Sequence, residues 1–470
     1  MNWKNIFKSF RSRDMLNRVL AVLGIIIVYR FLAHVPVPLA DPTALKDIIS
    51  STISSNSFGG FLNLLSGGAL ASFSIMLVGL SPYITASVIT QLLTKAIPRL
   101  EEMHKDGESG RRKINQWTRM ITLPLAILQS IAFIFILRSS VLQGATTIGT
   151  MDATQWTVAI AAMTAGAMML MWLGEIITEK GIGNGISLLI FAGIISQLPS
   201  TLGMLWTSVT TPNGDPFHLF NWFQISFLNN TAVWLTLGIT VVGLAVLYLL
   251  VKINEGQRII TINYAKRVRG NSEYGGVKSI LPIKLITAGV IPVIFAVAFL
   301  ALPAFLGQLF VATGWNTELG QNLILWFQRS GANSFTAGGG WHQFIYPICY
   351  FVLVVAFTYF YTSIVFNSSE IAENLQKQGG FVENVRPGKN TEKYLSRTVN
   401  RLTLFGSLAL GIIAVLPFVF EYLYVQMGLG SSASQLAIGG TGLLIVVSVA
   451  LESLRQLNSR ALMVTYDEYK

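Results

Sequence analysis

The sequence predicts an all-α polytopic membrane protein, ten transmembrane helices in two inverted halves of five, and three observations carry that prediction. Of the 470 residues 52% are hydrophobic and only 12% charged, with a mean hydropathy of +0.57; soluble domains carry roughly a quarter charged residues. Hydropathy marks ten stretches long enough to cross a bilayer, at about 19–37, 72–93, 117–138, 154–177, 184–206, 222–251, 284–311, 343–366, 402–424 and 434–455. Of the 33 Lys and Arg, only Arg30, Lys46, Arg138 and Arg329 lie away from the N-terminus, the loops after spans 2, 4, 6 and 8 with the span ends that adjoin them, and the C-terminal tail. The positive-inside rule makes that basic side cytosolic, with both termini on it. The net charge of +11 thus belongs mostly to the cytosolic face. It does not require nucleic acid, and it leaves ribosomal RNA open as a partner.

The first twenty residues, with five cations and no small-residue cleavage site, read as a cytosolic amphipathic lead-in to span 1 rather than a removable signal peptide. Between spans 1 and 2 lies "FGGFLNLLSGGAL", Phe58 to Leu70. It is apolar enough to leave water, yet far short of the ~20 residues that a crossing helix needs. The pairs Gly59-Gly60 and Gly67-Gly68 weaken helical continuity through it. It reads as a re-entrant segment, since irregular backbone at membrane depth is tolerated only when buried in protein or lining a cavity. The exposed "TTPNGDPFH", Thr210 to His218, divides the ten spans into halves at 1–213 and 214–470. Five spans per half force opposite topologies, and inverted repeats place a functional site near the midplane between them. The cytosolic loops at about 252–283 and 367–401 are long for connectors and contain turn chemistry such as "YGG" and "RPG". The outer loop at about 312–341 reads as a cap.

The sequence excludes several chemistries. The lone Cys349 sits in an apolar run and reads as a buried small hydrophobe. His34, His104, His218 and His342 lack metal-ligand spacing, so neither a metal nor another cofactor is expected. There is no phosphate-binding loop, and "GIGNG", Gly181 to Gly185, reads as a cytosolic turn with Asn184 near the start of span 5. Glu175 and Glu179, beside Lys180, read as a solvated helix end. No catalytic Ser-His-Asp, Cys-His or paired-carboxylate set is spaced for reaction, so the chain is not expected to be an enzyme. Energy must come from a partner. The middles of the spans hold almost no Asp, Glu, Lys or Arg; Arg30, near the outer end of span 1, can snorkel. Their polarity is Ser, Thr, Asn and Gln, as at Thr85, Ser87, Thr90 and Gln91 on span 2. Such groups either pack helices together or line a lateral opening.

Six strings, in order along nearly the whole chain, resemble the bacterial SecY family of protein-conducting channels. They are "VPVP" after span 1, "LSGGALASFSIMLVGLSPYITASVITQLL", "EKGIGNGISLLIFAGI", "YAKRVRG…YGGVKSILPIK…AGVIPVIFA", "GGFVENVRPGKNTEKYL" and "GGTGLLIVV". The resemblance implies that 58–70 is a plug closing the pore from outside, with Phe61, Leu62, Asn63, Leu64 and Leu65 as its body and Gly67 and Gly68 as hinges. It implies a pore ring of Leu80 and Ile84 on span 2, Ile186 and Ile190 on span 5, Ile291 and Ile294 flanking a kink at Pro292 on span 7, and Ile445 on span 10. From sequence alone each is ordinary apolar packing, although the first two pairs share helix faces at i, i+4. A narrow aliphatic constriction dewets and blocks ions.

The resemblance further implies a lateral gate between spans 2 and 3 and spans 7 and 8, through which signal sequences and nascent transmembrane helices pass into the lipid bilayer. Ser87, Thr90, Gln91 and Thr287 are its polar candidates. The chain departs from the family's pattern in carrying Ile286 and Thr287 near the start of span 7, where Asn is expected, and Ser81 where a larger apolar residue is common. Arg258, Lys266, Arg267 and Arg269 on one cytosolic loop, and Arg386, Lys389, Lys393 and Arg397 on the other, would dock the SecA ATPase or the ribosome. Arg386 is the foremost of these. SecE and SecG subunits and a bacterial plasma-membrane location follow from the same resemblance. An inverted-repeat transporter of a small solute would need intramembrane ionisable groups, and an intramembrane protease a catalytic pair; the sequence offers neither.

Overall fold

The computed structural model describes residues 13–37, 74–141, 153–181, 183–210, 217–219, 223–225, 231–264, 267–269, 272–274, 278–289, 291–327, 340–426, 442 and 445–459. Among them, ten helices overlap the ten expected spans. These are α1 (Arg13–Leu32), α2 (Ser81–Ala96), α4 (Glu108–Val141), α5 (Ala153–Lys180), α6 (Gly185–Thr210), α7 (Thr231–Glu255), α8 (Ile291–Thr313), α10 (Ile345–Val365), α12 (Lys389–Gln426) and α13 (445–459). Three shorter helices join them: α3 (Pro98–Lys105), α9 (Thr317–Phe327) and α11 (Ser368–Lys377). Six stretches are long and apolar enough to cross a membrane, in α1, α4, α5, α8, α10 and α12. The hairpin β1 (Phe217–Leu219) to β2 (Phe223–Ile225) falls at the expected division of the chain.

One apolar cluster runs through the helices, from Val22 and Tyr29 on α1 to Val449 on α13. Within it α4 packs on α2 and α5, α5 on α6, α8 on α2, α4 and α10, and α10 on α12. Small residues set the closest approaches, as expected where no hydrophobic effect drives helices together in lipid. A Cβ on Gly185 would collide with the carbonyl of Gly174, so the start of α6 can lie against α5 only without a side chain there. Cys349 is half-buried against the cluster, more open than its apolar setting suggests.

Several boundaries differ from the hydropathy reading, each for a local reason. Span 7 begins not at 284 but at Ile291, which puts Pro292 in the first turn of α8. A proline there starts a helix, because its missing N–H would be unpaired anyway; it does not kink one. The proline inside α8 is Pro303. Ile286 and Thr287 fall in the turn before α8, where Ile286 is buried in the apolar cluster and the Thr287 hydroxyl donates to the Lys284 carbonyl at 3.2 Å. Glu175 is not a solvated helix end: it accepts from Nε of Arg119 at 2.6 Å, tying α5 to α4. The outer loop contains α9, which folds back on α8 so that Gly320 lies against Gly307, and Phe327 packs against the main cluster.

The larger departure from an all-helical reading is on the basic side. Strand β3 (Gln257–Tyr264), which follows α7, pairs antiparallel with β6 (Lys278–Lys284), in register from Gln257↔Lys284 to Asn263↔Lys278. Its other edge takes β7 (Gly380–Val382), which follows α11, at Ile262↔Val382 and Tyr264↔Gly380. The two loops therefore form one three-stranded sheet, ordered β6-β3-β7. A second core of Ile260, Ile283, Val382, Leu395 and Val399 seats this sheet on the start of α12. A small hairpin, β4 (Arg267–Arg269) to β5 (Ser272–Tyr274), extends the first loop.

Candidate functional site: constriction, seam and basic platform

The chain approaches α2 through a short turn. Ser74 pairs with Pro36, and the Ile75 N–H donates to the Val35 carbonyl at 3.0 Å, so the "VPVP" end of α1 meets the start of the turn. The segment between them, including Phe61, Leu62, Asn63, Leu64, Leu65, Gly67 and Gly68, lies outside the described residues. After Gly79 (φ +62°), Leu80 caps α2, with Pro82 in the first turn. On α6 the Asn184 side chain does what its position suggested: its Oδ1 accepts from the N–H of Ile186 at 3.1 Å and, more weakly, from that of Ser187 at 3.4 Å.

Aliphatic side chains from four helices join the main cluster. Leu80 and Ile84 of α2, Ile190 of α6, Ile294 of α8 and Ile445 of α13 are all buried in the main cluster, Ile190 to 1% exposure. Ile186 and Ile291 are partly buried against it. All seven ring candidates thus belong to one continuous apolar body. It is a packed interior, with nothing polar among those seven side chains to hold an ion or water.

Beside it, α8 lies across α2 and α4. A cavity of about 40 Å³ marks this seam, lined by Val78, Ser81 and Thr85, by Gln129 and Phe133 of α4, and by Ala298, Ala301, Leu302 and Phe305 of α8. All its polar side chains are on the α2 and α4 wall; the α8 wall is apolar. Of the gate candidates, Ser87, Thr90 and Gln91 do not line it. At 100° per residue Ser87 and Thr90 leave α2 on the side roughly opposite Ser81 and Thr85, and Gln91 leaves it about 80–120° round from them and further along the helix. Thr90 donates to the Ala86 carbonyl at 2.8 Å and Gln91 to the Ser87 hydroxyl at 3.1 Å, bonds within their own helix. Thr287 sits before α8 begins. Gln129 was missed; an amide in the middle of an apolar span was the signal for it.

The basic platform is the third part. Arg258 on β3 and Arg386, Lys389, Lys393 and Arg397 are exposed. Arg267 and Arg269 lie on β4, and Lys266 is outside the described residues. Arg386 stands in the tight link between β7 and α12. There Asn384 and Gly388 take positive φ (61° and 94°), and Thr391 donates to the Arg386 carbonyl at 3.0 Å. Below the sheet, Arg455 of α13 donates to the Asn254 carbonyl at 2.8 Å and its side-chain oxygen at 3.3 Å, closing the end of α7. The Lys284 ammonium at the end of β6 is held below its ordinary range, first by burial and then by nearby Arg455, with Glu452 opposing. Among the described residues no group of three or more His, Cys, Asp or Glu could hold a metal.

Comparison with known proteins covers nearly the whole chain. The family model described as SecY matches residues 74–454. The protein translocase subunit SecY of Streptomyces galbus is 38% identical over 469 residues, 98% of each chain. That of Corynebacterium glutamicum is 38% identical over 467 residues, and that of Mycobacterium tuberculosis 37% over 478, again 98% of each chain. Among solved structures, a protein-conducting channel has a TM-score of 0.57 at 19% identity, covering 93% of this chain and 91% of that one. Sec61 in a canine ribosome-channel complex has a TM-score of 0.55 at 17% identity, with the same coverage. At such identities the structures speak to the fold alone.

Proposed function

This chain belongs to the SecY family, and from that premise we propose that it is a protein-conducting channel of a bacterial plasma membrane, with both termini in the cytosol. It passes unfolded secretory polypeptides across the membrane and releases signal sequences and transmembrane helices sideways into lipid. The observation that carries this reading is that seven aliphatic side chains from four helices, two before residue 213 and two after, share one apolar interior. Closed, they exclude water and ions. Parted, they offer a passing chain contacts without hydrogen-bond preference, which suits a substrate of no fixed sequence. The segment at 58–70 is the plug on the outer side.

The seam of α8 against α2 and α4 is the lateral exit, and its apolar wall is the side that a signal helix can replace at low cost. The platform made of the two joined loops docks the motor. Its cations suit acidic protein surfaces of the SecA ATPase and phosphates of ribosomal RNA alike. The chain works beside SecE and SecG subunits and supplies no energy of its own.

The test places photocrosslinkers at Ile84 and, separately, at Leu64 in a Cys349→Ala background, with a secretory protein stalled midway through export. Crosslinks from Ile84 to the stalled chain, with Leu64 losing its contact to the channel as the chain enters, are the expected result. If neither position ever meets the chain while export still depends on this protein, the pore assignment fails.

A further inference from the structure

A groove of about 720 Å³ lies between the cytosolic end of α10 and the first four turns of α12, away from the constriction and the seam. Four of the residues lining it recur every fourth position: Lys389, Lys393, Arg397 and Arg401. At 1.5 Å per residue they make a basic stripe ~18 Å long on one helix face. No ion pair or hydrogen bond among the described residues engages any of these four side chains. Glu392 is the single carboxylate in the lining, so the groove carries an excess of unneutralised positive charge.

The position of its inner end decides what this charge is for. The opposite wall is Tyr359, six residues inside the end of α10 at Val365, or ~9 Å along the helix. On α12 the stripe stops at Arg401. The next turn presents Leu404 and Phe405, 54% and 64% exposed, and the turns beyond it Leu408 and Ile412, also exposed. A helix face that changes within one turn from arginine to exposed leucine marks the boundary between headgroups and hydrocarbon. Arg397 and Arg401 therefore stand at headgroup depth, while Lys393 and Lys389 reach ~6 Å and ~12 Å beyond Arg397 into the cytosol.

We propose that the inner end of this groove, formed by Arg397, Asn400, Arg401 and Tyr359, binds the phosphate headgroup of an anionic phospholipid of the cytosolic leaflet. Two guanidinium forks match phosphate oxygens bidentately, which a lysine pair cannot do. The Asn400 amide and the Tyr359 hydroxyl supply further donors, and Leu404 offers the acyl chains an apolar continuation. A docked protein or RNA would engage the outer lysines instead, so the two ends of one stripe take different partners. The inference depends on the cytosolic placement of the loops, not on translocation.

The test uses the full-length protein in nanodiscs of phosphatidylcholine with a trace of phosphatidylglycerol bearing a photoreactive headgroup, and maps the labelled peptides. Label concentrated on the peptides around Tyr359 and Arg401 is expected, falling about fivefold for each charge removed in Arg397→Gln and Arg401→Gln. Arg401→Lys keeps the charge but loses the fork, so its label falls between those of the unaltered protein and Arg401→Gln, and Lys389→Gln with Lys393→Gln changes it less than about twofold. If Arg401→Gln is not monodisperse, Tyr359→Leu replaces it, with loss of label expected. Label spread evenly over the cytosolic rim, equal label from phosphatidylcholine, or dependence on the outer lysines would overturn the assignment. Complete competition by millimolar glycerol phosphate would also overturn it, making the groove a site for a soluble phosphate.

Discussion

Two cores hold the described part of this chain, and they are assembled under different solvents. The membrane core gathers Leu80, Ile84, Ile190, Ile294 and Ile445 from helices far apart in sequence. The core on the basic side sets Ile260, Ile283, Val382, Leu395 and Val399 between a three-stranded sheet and one helix. In water, burying those side chains is what makes the sheet stable. In lipid, an isoleucine gains little by leaving acyl chains for a helix interface, so the helices stay folded by their own hydrogen bonds. On the proposed reading, the aliphatics of the ring are therefore available for sealing, and those under the sheet are committed to stability. Substitutions in the two cores should fail in different ways.

The largest effect falls where the basic-side core presents its charge. Arg386 sits in a link fixed by two positive-φ residues and the Thr391 bond, so its direction is set by the fold rather than by a mobile loop. Arg386→Glu places like charge against whatever acid or phosphate docks there, which costs several kcal/mol and so lowers motor-driven export at least about a hundredfold. Fold and closed-state conductance stay as they were. Export in reconstituted vesicles, beside a conductance measurement, reads both; a leaky Arg386→Glu channel would show that platform and constriction are one unit.

Next comes the anchor beneath it. Leu395 is fully buried in the basic-side core, and truncation to alanine should cost about 2–5 kcal/mol through lost burial and the cavity left behind. Hydrogen exchange on β3, β6 and β7 should rise together, while the membrane helices keep their protection. Rapid exchange confined to β7 would mean that the sheet is not cooperative. The matching change in the membrane core is Ile190→Asn. A dry amide there costs about 1–3 kcal/mol until a water molecule joins it, so closed-state conductance should rise roughly tenfold, with a loss of stability no larger than that cost. A variant that unfolds without leaking would assign Ile190 to packing.

The same contrast of solvents explains what could be read from the chain. A bilayer imposes length and apolarity, and all ten expected spans overlap helices because those two demands are local. Ends are less local: α8 starts at Ile291 because Pro292 suits a first turn, while apolar residues as far back as Leu281 belong to a strand and the turn after it. The sheet was invisible because its strands come from loops more than a hundred residues apart, and Gly380–Val382 is too short to show an alternating pattern. Basic charge on both loops was legible, but not that the loops are joined. At the seam, the sequence offered Thr85, Ser87, Thr90 and Gln91 on span 2, and of these only Thr85 lines the cavity. Helix rotation turns Ser81 and Thr85 toward α8, with Gln129 beside them.

The smallest effect tests that asymmetry within the seam. Hydrogen-bonding groups between membrane helices contribute ~0.6 kcal/mol on average, so Gln129→Leu should change gate opening by only about threefold. Its sign follows from the geometry. With leucine at 129, the α4 wall becomes as apolar as the α8 wall of Ala298, Ala301, Leu302 and Phe305, and the closed seam gains against any helix that must part it. A marginally apolar segment should then insert about threefold less well, while a strongly apolar one, already far above threshold, is unaffected. A series of test segments graded from alanine to leucine measures this as a shift in the midpoint of insertion. An equal loss for every segment would mean that Gln129 supports the fold of α4 rather than the balance of the seam. A shift toward easier insertion would mean that the amide holds the seam closed through a hydrogen bond to the α2 wall.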